Sequence, residues 1–311
     1  MVYPLLLLIS LIISSIAIPI LQNFGIKKHL CDDPTGDVLK VHKKPIPYLG
    51  GFGIFLGLSS GLITARLFHQ VSGLQAAGII IGSIIILFLG FWDDLKWKKN
   101  SHPLIKLLCQ FIAGFLIIFI LLEIGVNFHF SINPILGALI SAFYIVGAMN
   151  AINMQDGLDG IAGGVVGISL IAFSLLSFLS NNTFALILSL SLLGGVIGFL
   201  LYNWHPASIF MGDNGSHFLG FSLAVLAIMF TGHPIYNFPK FIGPVLIIGL
   251  PVLDTTWAII RRTIQGKSPF QGDRGHLYDR LHQKGLSVQK TALICYSIQA
   301  IIVSIGFLLS A

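Results

Sequence analysis

Charge is scarce in this sequence. Only 10% of its 311 residues are Asp, Glu, Lys or Arg, against 55% hydrophobic residues and a mean hydropathy of +0.89. A chain so poor in charge cannot build a water-facing surface of ordinary polarity, which excludes a soluble globular domain and indicates an integral membrane protein. Cysteine is also rare: Cys31, Cys109 and Cys295 lie far apart with no CxxC spacing, so neither a zinc site nor a disulfide framework is expected. Walker A, GxGxxG and HExxH patterns are absent, as is any internal repeat, and no nucleic-acid partner is expected. The first lysine is Lys27. The opening apolar run therefore lacks the basic start of a signal peptide and reads as a first membrane span.

What is present is a series of apolar segments, at about 2–22, 49–68, 74–91, 104–123, 135–152, 161–179, 184–202, 216–232, 241–260 and 289–310. Several approach the roughly 20 residues a helix needs to cross a bilayer. The expected fold is all-α, a single polytopic membrane domain over 1–311 with about ten transmembrane helices and an active site formed by cytoplasmic loops. If the segments alternate in direction, the connections at about 23–48, 92–106, 153–160, 203–215 and 261–290 share one side. They hold 16 of the 18 Lys and Arg residues, which places them in the cytoplasm by the positive-inside rule and both termini outside. Ten of the twelve acids lie on the same stretches, and only Glu123 and Asp254, inside apolar segments, do not. Topology does not require that of acids; a shared cytoplasmic site would.

The most informative stretch is Tyr144–Gly164, YIVGAMNAINMQDGLDGIAGG, where Asn150, Asn153, Asp156 and Asp159 interrupt apolar sequence. An Asp at mid-bilayer costs about 2.5–3.5 kcal/mol, so an intramembrane acid points to a site. Gly157 and Gly160 can break the helix and let both polar pairs face one space; helix capping alone would account for one or two such residues. In VHKKPIPYLGG (41–51), Lys43 and Lys44 suit an anionic ligand such as a diphosphate, or anionic lipid. In FWDDLKWKKNSHPLIKLLCQ (91–110), Asp93 and Asp94 suit a divalent cation or a base acting on phosphate, and Lys106 can neutralise phosphate charge. In NWHPASIFMGDNGSHFLG (203–220), Asp213 stands between Gly212 and Gly215, with Asn203 and His205 before it. One carboxylate of this kind can hold Mg²⁺ on a diphosphate or cap a helix. Arg261, Arg262, Lys267, Arg274, His276 and Arg280 make 261–287 either a clamp on an anionic head group or a topogenic loop. These residues point to Mg²⁺ and phosphate chemistry at the cytoplasmic face, without naming a substrate.

The set HKKPIPYLGG, FWDD, NAINMQDGLDG, MGDNGS and DRGHLYDRL, in this order across 42–281, resembles the polyprenyl-phosphate N-acetylhexosamine-1-phosphate transferases. That resemblance implies ten or eleven helices in the bacterial cytoplasmic (inner) membrane, multi-pass, with the active site facing the cytoplasm. It implies transfer of a sugar-1-phosphate from a UDP-activated N-acetylated sugar to undecaprenyl phosphate, with release of UMP. The cofactor implied is Mg²⁺, with Mn²⁺ as an alternative ion, and a homodimer is compatible with it. The resemblance assigns the metal to Asp213, the acidic pair to Asp93 and Asp94, and the motif lysine to Lys106. Asn150, Asn153 and Asn203 supply amides and Asp156 and Asp159 the nucleotide-side carboxylates; of the last motif His276 and Arg280 carry over, while Lys43, Lys44 and Arg274 are substrate-binding candidates by their charge. Asp93 or Asp94 would position the lipid phosphate or take its proton in a single displacement, with a phosphorylated aspartate as the alternative course. Tyr278 and Asp279 replace two histidines common in relatives, and Trp97 replaces an acid. The histidine-rich pattern of the muramoyl-pentapeptide branch is missing, which favours a branch starting O-antigen, teichoic acid or related surface glycans. Two readings of other classes are a secondary transporter, which predicts midplane acids and an inverted repeat, and a non-catalytic polyprenyl-phosphate binder.

Overall fold

A computed structural model describes residues 2–34, 44–97, 102–126, 134–231, 237–268 and 273–311. Among the described residues the chain is all-α apart from one pair of two-residue strands, β1 (Cys31–Asp32) and β2 (Ile46–Pro47), antiparallel with Cys31 opposite Pro47. The helices are α1 (Val2–Lys27), α2 (Gly50–Leu67), α3 (Gly73–Trp92), α4 (Pro103–Glu123), α5 (Pro134–Gln155), α6 (Ile161–Leu179), α7 (Thr183–Asn203), α8 (Gly212–Phe230), α9 (Phe238–Ile248), α10 (Leu250–Ile264), α11 (Leu277–Gln283) and α12 (Val288–Ser310). A π-helical turn, Asp93–Trp97, prolongs α3.

Eight of these helices are long and apolar enough to cross a membrane. Their outer faces carry the residues that lipid would cover: Leu8, Ile12, Ile16 and Ile20 lie four apart on α1 and are exposed, while Leu6, Ser10, Ser14 and Ile18 on its other side are buried. A water-soluble helix would show the reverse balance of exposed polar and buried apolar residues. The protein is thus a multi-pass membrane protein. At the centre stands α8, packed by α2, α3, α5 and α9, with every residue from Asn214 to Ile228 buried. Its polar start, GDNGSH, has no access to lipid, so its donors and acceptors must be met by neighbouring helices.

One predicted segment is corrected. The stretch 241–260, read as a continuous span, is two helices, α9 and α10, bent by 89° at Gly249. Gly249 takes a left-handed φ of +72°, and Pro251 follows in the first turn of α10. Backbone groups freed by such a break need partners inside a membrane protein. Gln299 of α12 provides them: its Oε1 accepts from Leu250 N at 2.7 Å, and its Nε2 donates to the Ile248 carbonyl at 3.1 Å and to Ser169 Oγ at 2.8 Å. The predicted loop 261–290 likewise contains the end of α10, all of α11 and the start of α12.

Candidate active site

The site is assembled at the ends of α3, α4, α5 and α8. Asp93 and Asp94 occupy the π-helical turn, a local widening common at functional positions. Lys106 lies in the first turn of α4, which Pro103 starts without losing a needed hydrogen bond. Its ammonium contacts Asp93 Oδ2 and lies 3.1 Å from Asp213 Oδ2. Asn153, near the end of α5, donates to Asp213 Oδ1 at 2.7 Å and to Ser216 Oγ at 3.0 Å. Asp94 is fully engaged: Oδ1 accepts from Asp213 N at 3.0 Å, and Oδ2 accepts from Asn214 N at 3.2 Å and Asn214 Nδ2 at 2.8 Å. It holds the first turn of α8 in place, and Asn214 Nδ2 ties the same turn to the Tyr48 carbonyl at 2.7 Å.

Two glycines let the backbones approach. Gly212 has φ +73°, and a Cβ there would lie 2.5 Å from the Tyr48 carbonyl oxygen. A Cβ on Gly90 of α3 would lie 2.6 Å from Asn214 Cα. Both distances are far inside van der Waals contact, so a side chain at either position would push α8 away from the acidic pair.

Three carboxylates, Asp93, Asp94 and Asp213, face one ammonium, Lys106. Asp93 and Asp94 are only 6% and 7% exposed. Three clustered carboxylates set against one ammonium among the described residues, with their hard oxygen donors, fit a divalent cation such as Mg²⁺. Among the described residues, Asp93, Asp213 and His217 offer donor atoms within 4.8 Å of one another.

A cavity of about 710 Å³ adjoins the cluster, lined by Lys44, Tyr48, Asp94, Asn153, Asp156, Asp159, Asn203, His205 and Asp213 among others. Burial, then the nearby Asp94 charge, pushes the Tyr48 hydroxyl up to about 12, so it stays a neutral donor in the physiological range. Asp159 is anchored by His205 Nδ1 at 2.7 Å and Ala207 N at 3.0 Å. Asn203 joins two loops: its Oδ1 accepts from Gly160 N at 3.0 Å and its Nδ2 donates to the Ile209 carbonyl at 2.8 Å.

The α5–α6 break falls where Gly157 and Gly160 predict it, and it brings Asn153, Asp156 and Asp159 to one cavity. Asn150 departs from that expectation. It sits one turn deeper, donating to Gln110 Oε1 and to the Val146 carbonyl, both at 2.8 Å, and it does not line the cavity. Lys43 lies outside the described residues. Arg274, His276 and Arg280 do not line the cavity either. His276 Nδ1 pairs with Asp254 Oδ2 at 2.7 Å, and Arg261 and Arg262 bind Asp273 at 2.9 Å each. Burial would raise the Asp273 carboxyl, but the hydrogen bond and charge of Arg262, with the charge of Arg261, hold it below the usual range.

Several contributors carry no sequence signal strong enough to single them out. Gln110, Asn214 and His217 are lone polar residues beside motif positions, and Asp254 lies inside a segment read as a span. Tyr278, noted as a departure, donates to the Met154 carbonyl at 3.0 Å and stacks on His276, with rings 5.7 Å apart and 4° from parallel. A hydroxyl thus anchors α11 to the end of α5.

The glycosyl transferase family 4 profile matches residues 76–231, a region that contains Asp93, Asp94, Lys106, Asn153 and Asp213. The probable undecaprenyl-phosphate N-acetylglucosaminyl 1-phosphate transferase of Bacillus subtilis (strain 168) is 35% identical over 302 residues, covering 94% of this chain and 80% of the relative. The decaprenyl-phosphate N-acetylglucosaminephosphotransferase of Mycobacterium tuberculosis is 30% identical over 292 residues, 82% of this chain and 70% of the relative. A phospho-N-acetylmuramoyl-pentapeptide-transferase of Lactococcus lactis subsp. cremoris is 35% identical over 238 residues, 71% of each chain. With its acidic cluster set on the helix ends that these matches cover, the chain belongs to glycosyl transferase family 4.

Proposed function

We propose that this protein transfers an N-acetylated sugar-1-phosphate from a UDP-sugar, UDP-GlcNAc or a related UDP-N-acetyl-deoxysugar, to undecaprenyl phosphate at the cytoplasmic face of the bacterial inner membrane. UMP leaves, and the product starts a lipid-linked surface glycan. The observation that carries this reading is the gathering of Asp93, Lys106, Asn153 and Asp213 beside a cavity whose walls bear Lys44, Asp156 and Asp159. The N-acetylglucosaminyl phosphate relatives support this donor class.

The residues divide the work by their contacts. Asp94, held by three hydrogen bonds from α8, is the fixed base of the cluster. Asp93, whose partner is the ammonium of Lys106 and not the backbone of α8, is the better candidate to position the lipid phosphate or accept its proton. Lys106 can exchange a carboxylate partner for a phosphoryl oxygen as charge builds there. Asn153 keeps Asp213 turned toward the cluster. Asp213, with Asp93, would hold Mg²⁺, which when bound supplies neutralisation of diphosphate charge and of the leaving oxygen. Lys44 adds positive charge at the cavity wall.

The test is UMP release by the purified protein in detergent with undecaprenyl phosphate and Mg²⁺, comparing UDP-GlcNAc, UDP-GalNAc and UDP-FucNAc. Release that needs both lipid and metal, and that Asp213→Asn abolishes in a folded protein, is expected. Silence with every donor would remove the transferase reading. A labelled sugar-phosphate trapped on the protein without lipid would replace the single displacement with a phosphorylated intermediate.

A further inference from the structure

Beneath the acidic cluster lies a second polar layer, one helical turn deeper. On α4, Gln110 follows Lys106 by four residues, and on α8, His217 follows Asp213 by four. On α5, which contributes both Asn150 and Asn153, Asn150 precedes Asn153 by three. Residues at these spacings share a helix face. The upper layer binds through Lys106, Asp213 and Asn153; the lower layer is continuous through Asn150, Gln110 and His217. Gln110 and His217 are each 1% exposed.

The lower layer has a direction, and it can be read from one backbone carbonyl. Val146 O can only accept, so the Asn150 group 2.8 Å from it is the amide Nδ2. That same Nδ2 donates its other hydrogen to Gln110, which fixes Oε1 as the receiving atom, at 2.8 Å. Gln110 must then present Nε2 to the imidazole, 3.2 Å from His217 Nε2. An amide NH₂ group is a donor only, so His217 Nε2 must accept and cannot carry a proton. The proton of the neutral ring is on Nδ1. That nitrogen is buried and has no hydrogen-bond partner among the described residues, while the ring lies within 4.8 Å of the Asp93 and Asp213 donor atoms.

We propose that the Asn150–Gln110 relay locks His217 as the Nδ1–H tautomer, so that beside the acidic cluster it presents an N–H not engaged by any described group and does not serve as a metal ligand. Proximity alone makes Asp93, Asp213 and His217 resemble a mixed nitrogen and oxygen site of the kind that favours zinc or other transition ions. With Nε2 occupied by Gln110 and Nδ1 protonated, neither nitrogen offers a lone pair. The cation is left to oxygen ligands, the set that suits Mg²⁺. His217 is then a positioning residue: its unengaged N–H is open to a phosphoryl oxygen brought to the cluster. The part concerning the cation rests on the function proposed above; the tautomer does not.

Two measurements on the full-length protein test this. In metal-free protein with ¹⁵N-labelled histidine, assigned by difference with His217→Asn, His217 should show a protonated Nδ1 and an unprotonated Nε2. The opposite pattern would overturn the proposal whatever the activity of the enzyme. In protein loaded with Mn²⁺, pulsed electron paramagnetic resonance should show no ¹⁴N coupling of a directly bound imidazole. Gln110→Glu should introduce that coupling, because a carboxylate accepts the Nε2 proton and frees Nδ1 to ligate, the usual carboxylate–histidine–metal arrangement. Coupling in the wild-type protein overturns the proposal, and its absence from Gln110→Glu overturns the role of the relay. Mn²⁺ binding that survives Asp213→Asn would instead count against the metal assignment, leaving the tautomer measurement to decide the present one.

Discussion

Gly90→Ala tests whether helix approach, and not only side-chain chemistry, makes the site. The added Cβ would stand 2.6 Å from Asn214 Cα, whereas an ordinary contact needs about 3.4 Å or more, so α3 and the first turn of α8 must separate by roughly 1 Å. Neither neighbour yields easily, because the contacted atoms are backbone. Overpacking of this kind costs about 1–3 kcal/mol, which should lower the melting temperature in detergent. The catalytic effect should be larger. Asp213 depends on contacts of 2.7 Å with Asn153 and 3.1 Å with Lys106, and a misplacement of about 1 Å can reduce turnover about 10²-fold. The assay is UMP release alongside a thermal melt. Gly147→Ala is the control: its Cβ meets nothing within 4 Å, so it should be neutral or slightly stabilising through helix propensity. Turnover in Gly90→Ala equal to that of Gly147→Ala would refute the claim that the α3–α8 approach sets the geometry.

Lys106→Met removes the one ammonium between Asp93 and Asp213; Mn²⁺ should bind more tightly while UMP release falls by about 10²-fold or more, and unchanged metal affinity would show that Lys106 does not compete for those carboxylates. Gln299→Leu leaves Leu250 N and the Ile248 carbonyl without the partners that bridge the α9–α10 break. At about 1–3 kcal/mol per orphaned buried group, the variant should melt well below the wild type, and equal melting would mean the break is satisfied otherwise. The Asp273 clamp carries a pH signature. Its folded pKa is depressed, so the stabilisation is present above the ordinary carboxylate range and is lost as pH falls through the folded value. Hydrogen exchange in α11 should therefore rise on acidification in the wild type and be less pH-dependent in Asp273→Asn; parallel profiles would dissociate Asp273 from that region.

The sequence exposes features that violate the bilayer's preference for apolar residues. Asp156 and Asp159, interleaved with Gly157 and Gly160, announce the α5–α6 turn, and the concentration of acids and bases in alternate connections announces a shared face. It is silent where the determining feature is a contact between distant backbones or a single polar residue on an apolar helix. Gln110 and His217 have the spacing of core positions, and only the packing of α4, α5 and α8 reveals that they bond to one another. Gly249 and Pro251 did carry a signal for a break, but the surrounding leucines and isoleucines make a continuous span equally consistent with hydropathy. Asp254 was hidden for the same reason, since its partner His276 becomes its neighbour only once α10 turns. Asn150 shows a different limit. Its spacing from Asn153 correctly puts both on one face, yet one helical turn of depth separates a cavity wall from a buried relay.

The dependence of Asp94 on residues 213 and 214 also says something about how the chain matures. Its three accepted hydrogen bonds come from donors 119 and 120 positions later. Synthesis proceeds from the N-terminus, so two adjacent carboxylates are made long before the helix that satisfies one of them. During that interval Lys106, only a short way downstream, is already present to pair with Asp93, as it does in the finished structure. The arrival of α8 then keeps that pair, adds Asp213 to it and supplies the three donors to Asp94, so the helix that closes the acidic cluster also completes its assembly.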